Sequence, residues 1–569
     1  MRVARVANDG INCNASANVF RIVYYFNLGH LEREPREPNA KALHLSLLVI
    51  LEVRVSRCYF KLRLVAFAAA LAIGAAGCSA GRSTLPGIAP QTLDTWRSSY
   101  PGQVTRLTSQ PPSSMQLAWL LTDGSILAQS HANWNSFYRY VPDANGSYSD
   151  GTWSSVISLQ SGYGPDAAAS DLLADGEFVI IGGEYNTPGN GYDLQLTNVG
   201  AVYNPTTNKF TPLGHPKGWK YIGDSPSSVL PNGKLLLGQK LTEQDAALNP
   251  KTLKWEVVKH KGKSDFNSEE GWTLLPDGTI LTADVKNAPN SEIYNPSKGT
   301  WKSAGSTIVD LHSPSPYGCL LYGPSLCYYP PGEIGPSILR PDGTVFYTGS
   351  YSSGYGPGHT AIYSTAAGTW AKGPDFPNND NAGDSFAVLE PSGNVLVFGD
   401  SGTAYEWNGT TFSQLNGVTE QGPPLLLPTG QIMLLGYSTV LYTPTGTPKA
   451  NWAPTITTVP SSISAGQTYK ISGTQFNGLS QAMSFGDEYQ NPTNYPLVRV
   501  TMTSSGHVYY LRTHDHSTMG VATGSKTVST NFDVPSSIAS GSGQLVVVAN
   551  GIASKGVTVT VLGSKGRRR

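Results

Sequence analysis

The chain has 569 residues, enough for two or three domains, and its formal net charge is zero. Charged residues make up 14% of the sequence, well below the roughly 25% of an average domain, so nothing indicates a nucleic-acid partner. The 62 glycines and 40 prolines, and the lack of a long apolar 3.6-residue period in the body of the chain, predict an all-β protein with many tight turns.

The start of the chain is typical of a leader. Residues 1–56 show neither a repeat nor clean alternation, and a start codon assigned too early would explain them. A basic stretch at 57–63 precedes an apolar run of about 13 residues that ends at Ala75-Ala76-Gly77-Cys78. A helix that spans a bilayer needs roughly 20 apolar residues, so residues 57–78 are predicted to be a secretory signal peptide.

The end of this signal resembles the bacterial lipobox, in which the cysteine is lipidated and becomes the mature N-terminus. On this interpretation Cys78 anchors the protein to a bacterial membrane. The leucine that usually stands three residues earlier is absent, so an ordinary signal peptide cut nearby is the alternative. Residues 79–92, with Ser, Gly, Pro and Thr, then predict a flexible linker.

One local pattern recurs seven times in the body of the chain. An apolar run meets Asp, Asn, Ser or Thr followed by Gly, and a second apolar run follows. The seven turns are Asp123-Gly124, Asp175-Gly176, Asn232-Gly233, Asp277-Gly278, Asp342-Gly343, Ser392-Gly393 and Thr429-Gly430. Such turns predict β-hairpins, because glycine reaches positive φ without strain. Their spacing of about 50 residues favours a β-propeller with one blade per repeat over a row of unrelated hairpins.

The second half of each repeat supports this prediction. A strand that ends in Tyr or an equivalent residue is followed by a turn and then by Trp or Phe. The copies lie at 201–210, 247–255, 292–301, 361–370 and 404–412. The Trp or Phe is expected on the outermost strand, packed between neighbouring blades. Residues 93–452 are thus predicted to form a seven-bladed kelch-like propeller, closed by a strand at either Thr95-Trp96 or Asn451-Trp452.

The sequence pattern changes after residue 452. Several segments between 453 and 562 alternate with period two, which predicts an immunoglobulin-like (early-set) β-sandwich. Residues 563–569 form a basic tail. Two cysteines, Cys319 and Cys327, stand eight residues apart within the fourth interval between turns. In an exported protein this pair predicts a disulfide, and a reactive or metal-bound thiol is the weaker alternative.

The repeats followed by a sandwich resemble the galactose oxidase and glyoxal oxidase superfamily over residues 93–562. The likeness rests on the Tyr and Trp repeats, on the glycine doublet Gly182-Gly183, on Leu497-Val498-Arg499 and on the segment 512–519. The chain looks closest to a bacterial group of exported kelch-repeat proteins.

In the copper radical oxidases of that superfamily, two tyrosines and two histidines hold copper, and one tyrosine is cross-linked to a cysteine. One histidine comes from the C-terminal domain in a Thr-His motif, which Thr513-His514 matches. No Tyr-His dipeptide occurs in this sequence to supply the adjacent ligands. The resemblance therefore implies a copper-radical oxidase with a divergent site only as the alternative function, copper is not expected, and no catalytic residue is assigned.

Two histidines of the predicted sandwich could bind a metal. His514 and His516 stand two residues apart, so on a strand their rings would point to the same face. A polar strand end that faces water or packs on the propeller would give the same sequence.

A second candidate site is a series of acids that precedes the turns. An acidic residue lies nine or ten positions before six of the seven turn glycines, where the first strand of each blade would begin. The predicted acidic ring at one mouth of the channel comprises Asp166, Asp224, Glu269 with its neighbour Glu270, Glu333, Asp384 and Glu420. Carboxylates that converge repel one another unless a cation or a basic group sits among them, and Ca²⁺ suits such oxygen ligands. Alternatively, these acids cap strand ends and accept backbone hydrogen bonds.

Loop aromatics are a third candidate, because Tyr351 to Tyr355 and Trp134 to Tyr138 could stack on sugar rings. The sequence thus favours a monomeric, exported or secreted binding module of the cell envelope, attached to the membrane through its lipid. Its predicted ligand is carbohydrate or another protein, and a purely structural envelope protein is a further possibility.

Overall fold

The computed structural model describes residues 102–186, 195–258, 260–312, 333–351, 357–419, 422–436, 438–484 and 489–563. It also describes the backbone of four strands outside these ranges: Val19–Asn27, Ser46–Arg54, Leu320–Leu321 and Cys327–Tyr328. The chain divides into two compact units, Met1–Thr92 and Leu93–Arg569. In the first unit, β1 Val19–Asn27 pairs antiparallel with β2 Ser46–Arg54. The second unit contains everything discussed below.

The second unit begins with a region of short strands that covers both halves of every sequence repeat. These strands are β3 Gln103–Arg106, β4 Met115–Leu120, β5 Ile126–Ser130, β6 Ser136–Val141, β7 Thr152–Trp153, β8 Ile157–Ser158, β9 Ala169–Leu172, β10 Phe178–Ile181, β11 Gly200–Asn204, β12 Lys209–Leu213, β13 Ser227–Val229, β14 Leu235–Gly238, β15 Asp245–Asn249, β16 Lys254–Val258, β17 Thr273–Leu274, β18 Ile280–Ala283, β19 Asn290–Asn295, β20 Thr300–Ser306, β21 Leu320–Leu321, β22 Cys327–Tyr328, β23 Ser337–Leu339, β24 Thr344–Thr348, β25 Thr360–Ser364, β26 Thr369–Lys372, β27 Ala387–Leu389, β28 Val395–Phe398, β29 Thr403–Trp407, β30 Phe412–Thr419, β31 Leu425–Leu426, β32 Ile432–Leu434 and β33 Val440–Thr443. A 3-10 turn lies at Pro377–Asn379.

Apart from β21 and β22, which pair only with each other, these strands form seven antiparallel sheets. Sheet 1 is β4–β8, sheet 2 is β9–β12, sheet 3 is β13–β16, sheet 4 is β17–β20, sheet 5 is β23–β26, sheet 6 is β27–β30, and sheet 7 is β31–β33 together with β3. The first strands of sheets 2 and 3, 4 and 5, 5 and 6, and 6 and 7 are in contact, and β31 of sheet 7 also contacts β4 of sheet 1. Between sheets 1 and 2, the indole N–H of Trp119 in β4 donates to the Ser170 hydroxyl in β9. The protein is therefore an all-β chain of mostly four-stranded sheets, consistent with a β-propeller.

The predicted hairpins are confirmed. Each of the seven Gly turns joins the first strand of a sheet to its second strand, and all seven glycines have φ between 75° and 89°. In the first turn the amide of Gly124 donates to the carbonyl of Leu121, and the side chain of Asp123 accepts from the amide of Ser125. The acid or amide before the glycine thus fastens the turn from its side chain, which explains that residue choice.

The aromatic residues of the second half occupy the predicted place. Tyr294 faces Trp301 across β19 and β20, and their ring centroids are 5.1 Å apart. The indole N–H of Trp301 donates to Asp245 of the preceding sheet at 2.9 Å, and Trp370 of sheet 5 donates to Ser291 of sheet 4 at 2.9 Å. Outermost-strand tryptophans therefore join neighbouring sheets, as expected.

Neither of the two segments that competed for the closing strand supplies it. The fourth strand of sheet 7 is β3 Gln103–Arg106, which pairs antiparallel with β33. Thr95-Trp96 lies outside the described residues. Asn451-Trp452 belongs instead to a 3-10 turn at Ala450–Trp452, and the Trp452 ring packs against Gly393.

The C-terminal part consists of two packed sheets. Their strands are β34 Thr455–Thr458, β35 Ser462–Ser464, β36 Thr468–Thr474, β38 Leu497–Met502, β39 Val508–Leu511, β40 Thr513–His514, β41 Val528–Asp533, β42 Gly541–Ala549, β43 Ile552–Ala553 and β44 Val557–Leu562, and β37 Met483–Ser484 lies between β36 and β38 in the chain. One sheet has the order β34-β36-β41-β40, and the other has β35-β44-β42-β38-β39 with β43 beside β42. Ile471 and Phe532 of the first share a core with Val498 and Val547 of the second.

Residues 477–484 and 489–496, which lie between β36 and β38, leave this sandwich and enter the seven-sheet region; we call them the channel segment. Its strand β37 adds to sheet 6 beside β27. Gln481 bonds to Ser228 of sheet 3 and to the amide of Leu274 of sheet 4. Nothing in the sequence had indicated that a C-terminal segment contacts the first strands of several sheets.

Further contacts of the channel segment fix it to sheets 1 and 2. The carbonyl of Gln490 accepts the indole N–H of Trp119 at 3.0 Å, and Tyr489 forms a bridge with Ser170. Asn491 donates to the carbonyls of Ala118 and Pro424, at the junction of sheets 1 and 7. In the described part of the chain no helix has the length and apolar character needed to cross a membrane.

Candidate functional site

The seven sheets have two distinct ends. We call the side where the first strands begin, marked by Asp166, Asp224, Glu269 and Asp384, the entry face. The side that carries the seven glycine turns is the turn face. The acids that precede the first strands therefore belong to the entry face, three or four residues before β9, β13, β17 and β27.

A buried lysine gathers three carboxylates on the entry face. The Nζ of Lys240 bonds to Asp224, lies 3.0 Å from Glu269 Oε1 and 3.6 Å from Glu184 Oε1. The lysine side chain is fully buried, and those of Glu184 and Glu269 are 12% and 13% exposed. Burial raises the pKa of Asp224 well above its usual range, although the Lys240 charge opposes the shift. The basic partner that converging acids require is thus supplied by sheet 3 itself.

Asp166 has different partners. Its carboxylate accepts from the hydroxyl of Tyr489 in the channel segment, from the Gln116 amide and from the backbone N–H of Ala167. Burial raises the pKa of Asp166, and these donors partly offset the shift. This acid therefore fastens the channel segment to the entry face.

Glu270 departs from the expected ring. It lies 3.1 Å from the ammonium of Lys263, a fully buried pair, and its other partners are the indole of Trp272 and the hydroxyl of Thr282. Burial raises the pKa of Glu270 to about 7. Because neighbouring residues of a chain diverge, Glu269 joins the Lys240 cluster while Glu270 is turned into the interior.

The remaining members of the predicted ring differ from this cluster in their burial. Glu333 and Asp384 are both exposed, and Glu420 lies outside the described residues. The structure thus brings together Asp224 and Glu269, with Glu184 as a third acid that the sequence did not single out.

The two histidines lie near the turn face, away from the acids. His514 is 2.8 Å from Asp515 and 3.2 Å from Asp533, whereas the buried His516 meets the Thr530 hydroxyl at 2.9 Å. Burial lowers the pKa of His516 to about 3. The alternation expected of a strand ends here, because β40 stops at His514 and Asp515 has φ 52°.

The position of this segment is fixed by its backbone. The amide of His516 donates to the carbonyl of Ala174, directly before the glycine turn of sheet 2. In the described ranges no group of three or more His, Cys, Asp and Glu side chains is arranged to hold a metal ion. The carboxylates of the Lys240 cluster are already bonded to an ammonium group, which leaves the Ca²⁺ hypothesis without a described ligand set.

The copper set implied by the resemblance also does not fit the described residues. The C-terminal segment that reaches the entry face is the channel segment, and it contains no histidine. Its Tyr489 is bonded to Asp166 instead. His514, the match to the Thr-His motif, lies at the other end of the sheets. No reaction step through copper is therefore derived.

Most of the proposed loop aromatics are not available for stacking on sugars. Trp134 and Phe137 are fully buried, and Phe137 and Tyr138 belong to β6 rather than to a loop. Tyr351 is half-buried, and Tyr355 lies outside the described residues. Of the aromatics that the sequence suggested, the described residues therefore leave Tyr138 and Tyr351 as half-buried single side chains.

Two further predictions fall outside what the structure describes. Cys78 and Cys319 are not described, and only the backbone of Cys327 is, in β22 opposite Leu321. The lipid anchor and the disulfide Cys319–Cys327 therefore stay predictions.

A concave site that the sequence did not reveal lies between the loop after β12 and the loop between β14 and β15. This cavity measures about 290 Å³, and its walls include Lys217, Trp219, Lys220, Tyr221, Gln239 and Gln244. We call it the sheet-3 pocket. Its volume is near the lower end of small-molecule sites. Lys240, next to Gln239 in the chain, connects its floor to the entry-face acids.

Local sequence explains the shape of the pocket. Pro216 to Trp219 form a turn in which the amide of Trp219 donates to the carbonyl of Pro216. Gly218 stands at its third position with φ 88°, where a type II turn requires a residue of positive φ. The proline and the glycine of this turn are visible in the sequence, but only the fold shows that the turn borders a cavity.

Comparisons with known proteins add a weak likeness. No protein-family model matches the sequence, and no curated protein matches it. Among solved structures the chain is similar to a fungal alcohol oxidase of the AA5 family in complex with copper, with a TM-score of 0.42 and 14% identity over 81% of this chain and 99% of that one. It is also similar to virginiamycin B lyase from Staphylococcus aureus, with a TM-score of 0.40 and 12% identity over 60% of this chain and 99% of that one. Scores of this size carry no argument about chemistry.

Proposed function

We propose that the protein is a seven-bladed propeller with a C-terminal immunoglobulin-like domain that binds a carbohydrate in the sheet-3 pocket. The seven sheets, with contacts between most neighbouring first strands and from sheet 7 back to sheet 1, support the ring. The two packed sheets of 454–562 and their common core support the immunoglobulin-like domain.

The observation that carries the binding role is the lining of the pocket. Tyr221 is half-buried and Trp219 is 3% exposed, so both rings are held in place by their surroundings. Gln239 and Gln244 add amide groups beside them. An apolar ring next to amide donors and acceptors matches the two kinds of surface on a sugar, its C–H face and its hydroxyls.

The setting proposed for this activity is the bacterial cell envelope. The signal at 57–78 and the lipidation of Cys78 would place a monomer on a membrane surface, with the linker 79–92 between the lipid and the propeller. Loops on such a rigid frame are the usual place for binding residues.

A glycan array tests the carbohydrate role, followed by calorimetry on the bound sugar. Tyr221→Ala removes the accessible ring of the pocket and should weaken the affinity about tenfold. Tyr351→Ala, which removes another half-buried tyrosine from sheet 5, should leave the affinity unchanged. A protein that binds no glycan, or whose affinity survives Tyr221→Ala, does not have this function.

A further inference from the structure

Two lysines of the sheet-3 pocket have no acidic partner among the residues that the structure describes. Lys217 and Lys220 are exposed, and in the described part of the chain neither forms an ion pair. Two other lysines of the same sheet are paired: Lys234 lies 2.9 Å from Glu256, and Lys240 holds three carboxylates. Two ammonium groups thus border one concave site without internal neutralisation.

The loop that carries these lysines is held at both ends. The amide of Ile222 donates to the carbonyl of Thr197 at 2.9 Å, and the amide of Lys240 donates to the carbonyl of Ile222 at 3.0 Å. Asn198 donates from its side chain to the carbonyl of Trp219 at 2.9 Å. Lys217 and Lys220 therefore project from a backbone fixed to sheets 2 and 3, which lowers the ordering cost of ligand binding.

We infer that the sheet-3 pocket selects acidic sugars, whose carboxylate or sulfate groups pair with Lys217 and Lys220. This inference rests on the proposed function and gives the class of glycan. The accessible ring of Tyr221 contacts the sugar, and the ammonium groups supply charge-assisted hydrogen bonds to the anion. A neutral sugar leaves both ammonium groups with water alone, so the affinity differs between the two classes.

The test is calorimetry on the full chain with three matched probes: a galacturonate trimer, the neutral galactose trimer and a sulfated galactose trimer. At low salt the wild type should bind an acidic trimer about tenfold or more tightly than the neutral one. Lys217→Gln combined with Lys220→Gln should abolish that preference. Lys254→Gln is the control. It removes a lysine of the same sheet at the turn face, the first residue of β16, and should preserve the preference. Added salt should weaken acidic binding alone.

The outcomes separate the inference from the function on which it rests. Equal affinity for the acidic and neutral trimers overturns the acidic selectivity and leaves the carbohydrate role standing. An acidic preference that survives the double lysine substitution also overturns the inference, because residues other than Lys217 and Lys220 would then bind the anionic group of the sugar. Preference for galacturonate over the sulfated trimer, or the reverse, identifies the anion and supports it. Failure of every glycan on the array removes the proposed function itself.

Discussion

The ammonium group of Lys240 lies 3.0 Å from the carboxylate of Glu269, although the two residues come from different sheets. The lysine follows β14 of sheet 3 and the glutamate precedes β17 of sheet 4. Asp224 and Glu184 complete the cluster, which thus joins sheets 2, 3 and 4 at the entry face. Such a buried arrangement is costly to break, since removal of one partner leaves charges without compensation.

Lys240→Met should therefore destabilise the protein strongly. The substitution leaves the carboxylates of Asp224, Glu269 and Glu184 buried without their cation, and the expected loss in the free energy of unfolding is about 3–5 kcal/mol. Chemical denaturation measures it. Lys234→Met is the matched control, because its partner Glu256 is 68% exposed and an exposed pair contributes about 1 kcal/mol or less. Similar losses for both variants would contradict the cluster's role.

The free energy of unfolding should fall with rising pH, because the buried carboxyl group of Asp284 titrates. Both carboxylate oxygens of this buried residue lack a hydrogen-bond partner, and burial, with Glu292 and Asp265 nearby, raises its pKa from 3.8 to about 8. Between those values the folded protein holds a proton that the unfolded chain releases. The free energy of unfolding therefore decreases by up to about 1.4 kcal/mol per pH unit over that window and levels off above it.

Asp284→Asn removes this titration. We expect melting temperatures of variant and wild type to converge at acid pH and the variant to be more stable at pH 8. Asp400→Asn, at an exposed position, should follow the wild type throughout. A variant curve parallel to the wild-type curve at every pH would show that Asp284 is ionised in the folded protein.

Strand β3 should be required for a stable sheet 7. A chain that starts at Leu107 lacks the four residues that pair with β33, and the lost ladder should cost about 2–4 kcal/mol. A chain that starts at Pro101 keeps β3 and serves as the control. If both fragments unfold at the same denaturant concentration, closure by β3 contributes nothing to stability.

Cys78 should carry the lipid. In a bacterial host fed an alkyne-tagged fatty acid, the wild type should become labelled and partition into detergent, because acyl chains supply about 0.8 kcal/mol per buried methylene. Cys78→Ala should lose the label, whereas Cys58→Ala, within the predicted signal, should keep it. A labelled Cys78→Ala protein would place the lipid at another residue.

The parts of the fold that could be predicted from the sequence depend on local chemistry. The seven glycine turns adopt positive φ as expected, and Tyr363 faces Trp370 across one strand pair as their spacing implied. In both cases the residues that decide the structure lie within ten positions of one another, so the pattern survives in the sequence.

The parts that could not be predicted depend on distant contacts. Lys240 follows the apolar run of β14 and Gln239. From the sequence alone, a buried lysine at such a position cannot be distinguished from one that faces water. Gln490 and Asn491 belong to a stretch without alternation, yet they bond to Trp119 and Ala118, more than 350 residues earlier. The strand pattern around His514 failed because a single residue, Asp515, reverses the backbone.

The channel segment has a consequence for biosynthesis. Because residues 477–496 follow β33 in the chain, a ribosome makes all seven sheets before it makes the segment that bonds to them. Until then the carbonyls of Ala118 and Leu120 lack the hydrogen bonds that the side chains of Asn491 and Tyr495 later donate to them. The C-terminal fifth of the polypeptide therefore completes the contacts inside the seven-sheet region. A nascent chain that is released before this fifth is made lacks those contacts.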